Sequence, residues 1–214
     1  GKELPLGTKG ELVIRGNNVM KGYFKNKEAS EKSIRGEWLY TEDLAYVDND
    51  GFLIVVGREK ALLISQDGEK YSPEEIEEAV TTISKMVNQV MVYNDHEKYT
   101  TALITLSKEN VEQYVKKNSI TDASVLLEAI KQSFYSFRQD KDYANKFPAQ
   151  WLPKSFIILE EPFTEENHMI NSTMKMVRYK ITEAYKDKLA YLYTKEGAKI
   201  SNEENLRVVE KLFL

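Results

Sequence analysis

The sequence predicts an α+β fold, on three observations. Short β-type runs bounded by glycine-containing turns fill the first 56 residues. Beyond them, helices with apolar residues three and four apart alternate with further strands. Hydrophobic residues make up 42% of the 214 and charged residues 30%, a globular balance that supports a core without staples.

The elements follow in order. Residues 11–15 read as a strand between Gly10 and Gly16, and 26–34 as a polar helix with Asn26 as N-cap. Residues 44–47 and 52–56 flank Asp48, Asn49, Asp50 and Gly51, which predicts a hairpin. Residues 61–65 form a strand candidate, turned back by 66–70. Ser72, Pro73 and Glu75 read as a capping box opening a helix, with Ile76, Ala79, Val80 and Ile83 on one face. Glu74, Glu75 and Glu77 read as helix-start acids favoured by the macrodipole rather than as a metal cluster.

Strands at 88–93 and 100–106 come next, then a helix from Ser107 to about residue 118. A second helix covers 122–137, with Val125, Leu126, Ala129, Ile130 and Phe134 inward. Residues 155–159 are a buried strand, 174–192 one long helix, and 202–213 an amphipathic helix.

Composition excludes several classes of function. Thirty basic residues against 34 acidic ones leave a net charge of −4, unlike a nucleic-acid scaffold. Without cysteine there is no disulfide, thiolate metal site or cysteine nucleophile. Two distant histidines, His96 and His168, do not suggest a histidine metal site or a Ser-His-Asp triad. No apolar run has bilayer length and the first residues lack a signal-peptide pattern, so a cytoplasmic home is expected.

Three stretches carry chemistry in a fixed order: 38–44 (WLYTEDL), 57–64 (GREKALLI) running through 68–71 (GEKY) to 73–77 (PEEIE), and 171–178 (NSTMKMVR). Upstream lie 10–16 (GELVIRG) and 19–24 (VMKGYF). Together they resemble the C-terminal motifs of the adenylate-forming superfamily of acyl-CoA synthetases, luciferases and peptide-synthetase adenylation domains. The resemblance runs from about residue 8 to residue 178, and its forms around Lys60 and Lys175 look most like long-chain fatty acid–CoA ligases.

That resemblance implies a two-step reaction: a carboxylate displaces pyrophosphate from ATP, then the thiol of CoA displaces AMP. It implies that Asp43 binds the ribose hydroxyls and Arg58 the nucleotide, that Lys60 is a hinge, that Gly68 lines a CoA tunnel after domain rotation, and that Lys175 is catalytic. One departure stands out: Glu42 occupies a position where the family usually has glycine, at a cost if the turn needs positive φ.

The family's Gly-rich phosphate loop has no counterpart here. The resemblance therefore implies a fragment. Residues 1–56 would be the β-hairpin tail of a large N-terminal domain, 57–60 the hinge and 61–214 the mobile C-terminal α+β domain. The partners would be the missing N-terminal domain, ATP with Mg2+ held in that domain, CoA and a fatty acid, with no metal site in this chain. Alone it should be inactive; a fatty substrate also implies peripheral contact with a membrane. Two alternatives stay open. One is a ligase acting on a non-fatty acid. The other is a non-catalytic module docking through Leu206, Val209, Leu212 and Phe213 of its last helix.

Overall fold

The computed structural model describes residues 2–58 and 61–214. Lys60, the expected hinge, lies outside the described residues. The chain divides into two compact units, Gly1–Leu62 and Leu63–Leu214.

The first unit is built on one long strand. It comprises β1 (Gly10–Arg15), α1 (Lys27–Ser33), β2 (Ile34–Arg35), β3 (Trp38–Val47) and β4 (Leu53–Arg58). All pairings are antiparallel and made to β3: β1 runs along one edge, while β2 and β4 share the other. Asn26 caps α1, its side chain accepting from the Ala29 N–H at 3.0 Å. Asp48 Oδ1 closes the β3–β4 turn by accepting from the N–H groups of Asp50 and Phe52, and Gly51 supplies the positive φ of 87°. Among the described residues of this unit only Ala45 is buried, while Leu6, Phe24, Phe52 and Val55 are more than half exposed. A groove of about 750 Å³, lined in part by Leu4, Leu6, Val13, Trp38, Tyr40 and Leu53, runs along its sheet.

The second unit sandwiches a sheet between helices. Its elements are β5 (Leu63–Ser65), β6 (Lys70–Tyr71), α2 (Glu74–Ile83), β7 (Val87–Tyr93), β8 (Asp95–Glu97), β9 (Thr101–Leu106), α3 (Lys108–Asn118), α4 (Ala123–Phe134), β10 (Ser155–Ile158), α5 (Arg178–Ala184), α6 (Lys186–Leu192) and α7 (Glu203–Phe213). In the main sheet β9 is central, antiparallel to β7 and parallel to β10. Alternate side chains go to opposite faces. Val90, Val92, Ala102, Ile104, Phe156 and Ile158 pack with Ile76, Val80, Leu126, Ile130, Phe134 and Val209. Met91, Leu103 and Ile157 pack with Ile181, Leu189 and Leu192 on the other side. With both faces covered, β9 and β10 carry consecutive apolar residues at Ala102, Leu103 and Ile104 and at Phe156, Ile157 and Ile158. A smaller sheet orders β6-β5-β8.

Three expectations are corrected. The capping box does not form: α2 starts at Glu74 with Pro73 in the cap position, and the Ser72 hydroxyl donates to Glu74. Glu75 turns to Lys146 instead of reaching back toward Ser72. Val125 is 50% exposed, and Leu127 takes the inward position beside Leu126, Ile130 and Phe134. The expected helix over 174–192 is a hairpin followed by α5 and α6, because Asn171 captures the local donors and Met174 turns to a φ of 60°. The stripe on α7 packs as such stripes usually do: Val209 is buried, and Leu206, Leu212 and Phe213 pack on the unit's own core.

Both edges of the main sheet are closed by side chains. At β10, Asn205 of α7 accepts the Ile158 N–H at 2.8 Å and donates to the carbonyls of Phe156 and Ile200, both at 2.9 Å. Asn205 is fully buried. Replacing it with alanine leaves these backbone groups unpaired in the interior. Asn205→Ala is expected to destabilise this unit by roughly 2–4 kcal/mol, read from urea unfolding; a change under about 1 kcal/mol would mean that water replaces the side chain there.

Candidate nucleotide and acyl-transfer site

In the first unit, the fold brings Asp43 and Arg58 together. They face each other across β3 and β4, and Arg58 Nε donates to Asp43 Oδ1 at 3.0 Å. Asp43 stands at a bulge, where the β1–β3 register shifts between Glu11 and Val13. The bulge is held from inside: the Thr41 hydroxyl donates to the Leu12 carbonyl at 2.8 Å and accepts the Asp43 N–H at 3.1 Å. Glu42 has a φ of 60°, and its N–H donates to Glu11 Oε1 at 3.3 Å. The position therefore needs the conformation that glycine adopts freely, and Glu42 adopts it at a cost. Bulges re-aim side chains, and this one sets the Asp43 carboxylate beside the Arg58 guanidinium.

Gly68 and Lys175 lie in the second unit, on different turns. Gly68 joins β5 to β6 with a φ of 84°, its N–H donating to the Ser65 carbonyl, and open space surrounds the position of a Cβ. Lys175 is exposed on a hairpin spanning 169–177. The legs of that hairpin are joined by a bridge between Ile170 and Met176 and by the Val177 N–H donating to the Met169 carbonyl at 2.8 Å. At its tip Asn171 Oδ1 accepts from the N–H groups of Thr173 and Lys175 and from the Thr173 hydroxyl, at 3.0, 2.9 and 2.8 Å. Among the described residues the Lys175 ammonium makes no ion pair. A rigid backbone thus carries a cation that is free to meet an anion.

Just past the hairpin is a pair that motif reading missed. Glu77 is 6% exposed. Its Oε1 accepts the Val92 N–H at 2.7 Å and an N–H of Arg178, while Arg178 Nη1 donates to the Val92 carbonyl at 3.0 Å. Glu77 is thus no mere helix-start acid. Removal from water pushes its carboxyl above the usual carboxylate range; the charge and hydrogen bond of Arg178 and the Val92 N–H offset part of that shift. The signal was available: Glu77 follows Ile76 and precedes Val80 by one helical turn, so a charge sits on an apolar face and needs a buried partner. Among the described residues, no three His, Asp or Glu side chains converge as a metal site. No helix of the described residues is long and apolar enough to cross a membrane.

Comparison with known proteins agrees with this architecture. A model of the AMP-binding enzyme C-terminal domain family matches residues 60–197. The chain belongs to that family, within the adenylate-forming superfamily. It is 28% identical over 209 residues to the long-chain-fatty-acid–CoA ligase FadD15 of Mycobacterium tuberculosis, covering 92% of this chain and 33% of that protein. Among solved structures, it matches the A-PCP didomain of carboxylic acid reductase from Segniliparus rugosus in complex with AMP, at a TM-score of 0.73 and 25% identity, over 88% of this chain and 25% of that one. It also matches o-succinylbenzoate CoA synthetase of Bacillus subtilis in complex with its acyl-adenylate, at a TM-score of 0.55 and 27% identity, over 83% of this chain and 31% of that one. The chain spans about a third of the length of the ligase FadD15. Its relatives are acyl-CoA ligases and other adenylate-forming ligases.

Asn171 is the hub of the hairpin, and one hydrogen bond of its kind is worth about 1 kcal/mol. Asn171→Ala should raise the exchange of the Thr173 and Lys175 amide hydrogens by roughly fivefold or more while the amides of β9 keep their protection. Unchanged exchange at both positions would show that other contacts hold the tip.

Proposed function

We propose that this chain is the C-terminal part of an ATP-dependent acid–CoA ligase, with a long-chain fatty acid as the favoured acid. The observation that carries the reading is Lys175, an exposed cation with no ion pair among the described residues, on an ordered hairpin in a chain of the AMP-binding family. In the first step an acid oxygen attacks the α-phosphorus of ATP, a new P–O bond forms, and pyrophosphate leaves. Negative charge builds on the phosphoryl oxygens, and Lys175 stabilises it as a fixed positive charge rather than as a proton carrier. In the second step the CoA thiolate attacks the acyl carbon, and AMP leaves with the oxygen it received. Asp43 accepts the two ribose hydroxyls, since a carboxylate has acceptor sites for both, and Arg58 contacts the nucleotide.

Lys60 is the hinge in this reading, with 1–56 as the end of a larger N-terminal domain and 61–214 as the domain that rotates; Gly68 then lines the CoA path. The exposed apolar face of the first unit supports further polypeptide covering it. In this reading the Mg2+ that accompanies ATP is assigned to the larger N-terminal domain. The likeness to FadD15 supports a fatty substrate, and that to o-succinylbenzoate CoA synthetase supports a non-fatty acid as the second reading. The packed stripe of α7 weighs against a purely docking role.

Two outcomes test this in the full-length polypeptide, with hexadecanoate and o-succinylbenzoate as alternative acids. Lys175→Ala is expected to lower acyl-adenylate formation by about a hundredfold or more and to spare thioester formation from supplied acyl-adenylate. Equal loss in both steps contradicts the assigned role. Lys60→Pro fixes φ at that residue and should uncouple the two half-reactions; survival of both would place the hinge elsewhere.

A further inference from the structure

We propose that Arg178 is a positioning residue that sets where Lys175 stands, and that the Glu77–Arg178 pair is the anchor of the catalytic hairpin. The inference rests on the reading of Lys175 as the adenylation cation. The local bonds of Asn171 order the tip of the hairpin but do not tie it to the domain, and residues 171–175 are all exposed. The hairpin meets the domain at its base. One leg enters through Ile170, which is 8% exposed. The other leaves through Arg178, three residues beyond Lys175.

Because the Ile170–Met176 bridge and the Val177–Met169 bond join the legs, fixing Arg178 fixes the base as a whole. Arg178 is held at two points. One N–H reaches the Val92 carbonyl, the other reaches Glu77, and Glu77 is itself bonded to the Val92 N–H. The guanidinium fork, the carboxylate and the backbone of one residue of β7, Val92, close a ring that allows little sliding or rotation. A lysine keeps the charge but not the planar fork, so it cannot reproduce this geometry.

The test uses the full-length polypeptide with Arg178→Lys, Lys175→Ala and the double variant. Acyl-adenylate formation from ATP and the acid is followed by pyrophosphate release without CoA; thioester formation is followed from supplied acyl-adenylate. Arg178→Lys should lower the kcat of adenylation by roughly ten- to a hundredfold, as a misplacement near one ångström does, with the KM for ATP and the thioester step unchanged. In the Lys175→Ala background the same change should cost less than about twofold, because no cation remains to be positioned. Equal losses in both backgrounds, or none in either, overturn the inference.

Loss of adenylation in Lys175→Ala with full activity in Arg178→Lys overturns the inference alone. Full activity in Lys175→Ala overturns the reading beneath it as well. Glu77→Gln, which keeps an acceptor for Val92 and removes the charge, supplies a second variant should Arg178→Lys fail to fold. It should show the same background dependence, together with faster exchange of the Val177 amide; unchanged exchange and activity overturn the proposal.

Discussion

A three-stranded sheet buried between helices has two edges, and each edge presents backbone groups that must find partners away from water. That requirement organises the larger unit. At β10 it is met by Asn205, a neutral amide from α7. At β7 it is met by Glu77 of α2, whose carboxylate takes the Val92 N–H, and by Arg178, whose guanidinium takes the Val92 carbonyl. The ionic solution is the costlier one, since both charges leave water, and it survives only because each is bonded to the other and to the backbone of the same residue, Val92. Its effect reaches beyond the sheet edge. The pair ties α2, β7 and the start of α5 together where the exposed hairpin of Lys175 begins, so a packing constraint and a functional placement share one set of hydrogen bonds.

The smaller unit shows the opposite balance. Almost nothing in it is buried, and its order comes from antiparallel pairing to β3 and from local side-chain acceptors such as Asn26, Thr41 and Asp48. The bulge at Glu42 falls beside the residue expected to hold the ribose. A glutamate in a left-handed conformation is disfavoured locally, and the bulge persists because Thr41 and the Glu11–Glu42 bond fix the backbone on both sides. Strain next to the Asp43–Arg58 pair fits a site in which the placement of a carboxylate outweighs local backbone preference.

Much of this was legible in the sequence where one local signal faced no competitor. Asn26 as a cap, the Asp48 turn, the strand at β10 and the apolar stripe of α7 each follow from residue type and spacing. The signals failed where a side chain had a better partner than the one next to it in sequence. Ser72 bonded a carboxylate instead of capping α2, and Asn171 drew the chain into a hairpin where periodicity alone suggested helix. The motif residues Asp43, Arg58, Gly68 and Lys175 were readable as a set from their order. The pairing of Glu77 with Arg178 was not legible, because it spans 101 positions and only folding brings the two together. A charged residue inside an apolar stripe was the one hint of it.

In acyl-adenylate chemistry one oxygen of the acid ends on AMP. The most direct measurement gives the full-length polypeptide ATP, CoA and hexadecanoate carrying heavy oxygen in its carboxylate, and weighs the nucleotide and phosphate products by mass spectrometry. The expected products are AMP carrying one heavy oxygen and unlabelled pyrophosphate. Label in inorganic phosphate, with ADP as the nucleotide product, would mean that the acid attacks the terminal phosphorus instead, and would contradict the assignment of this chain to acyl-adenylate chemistry.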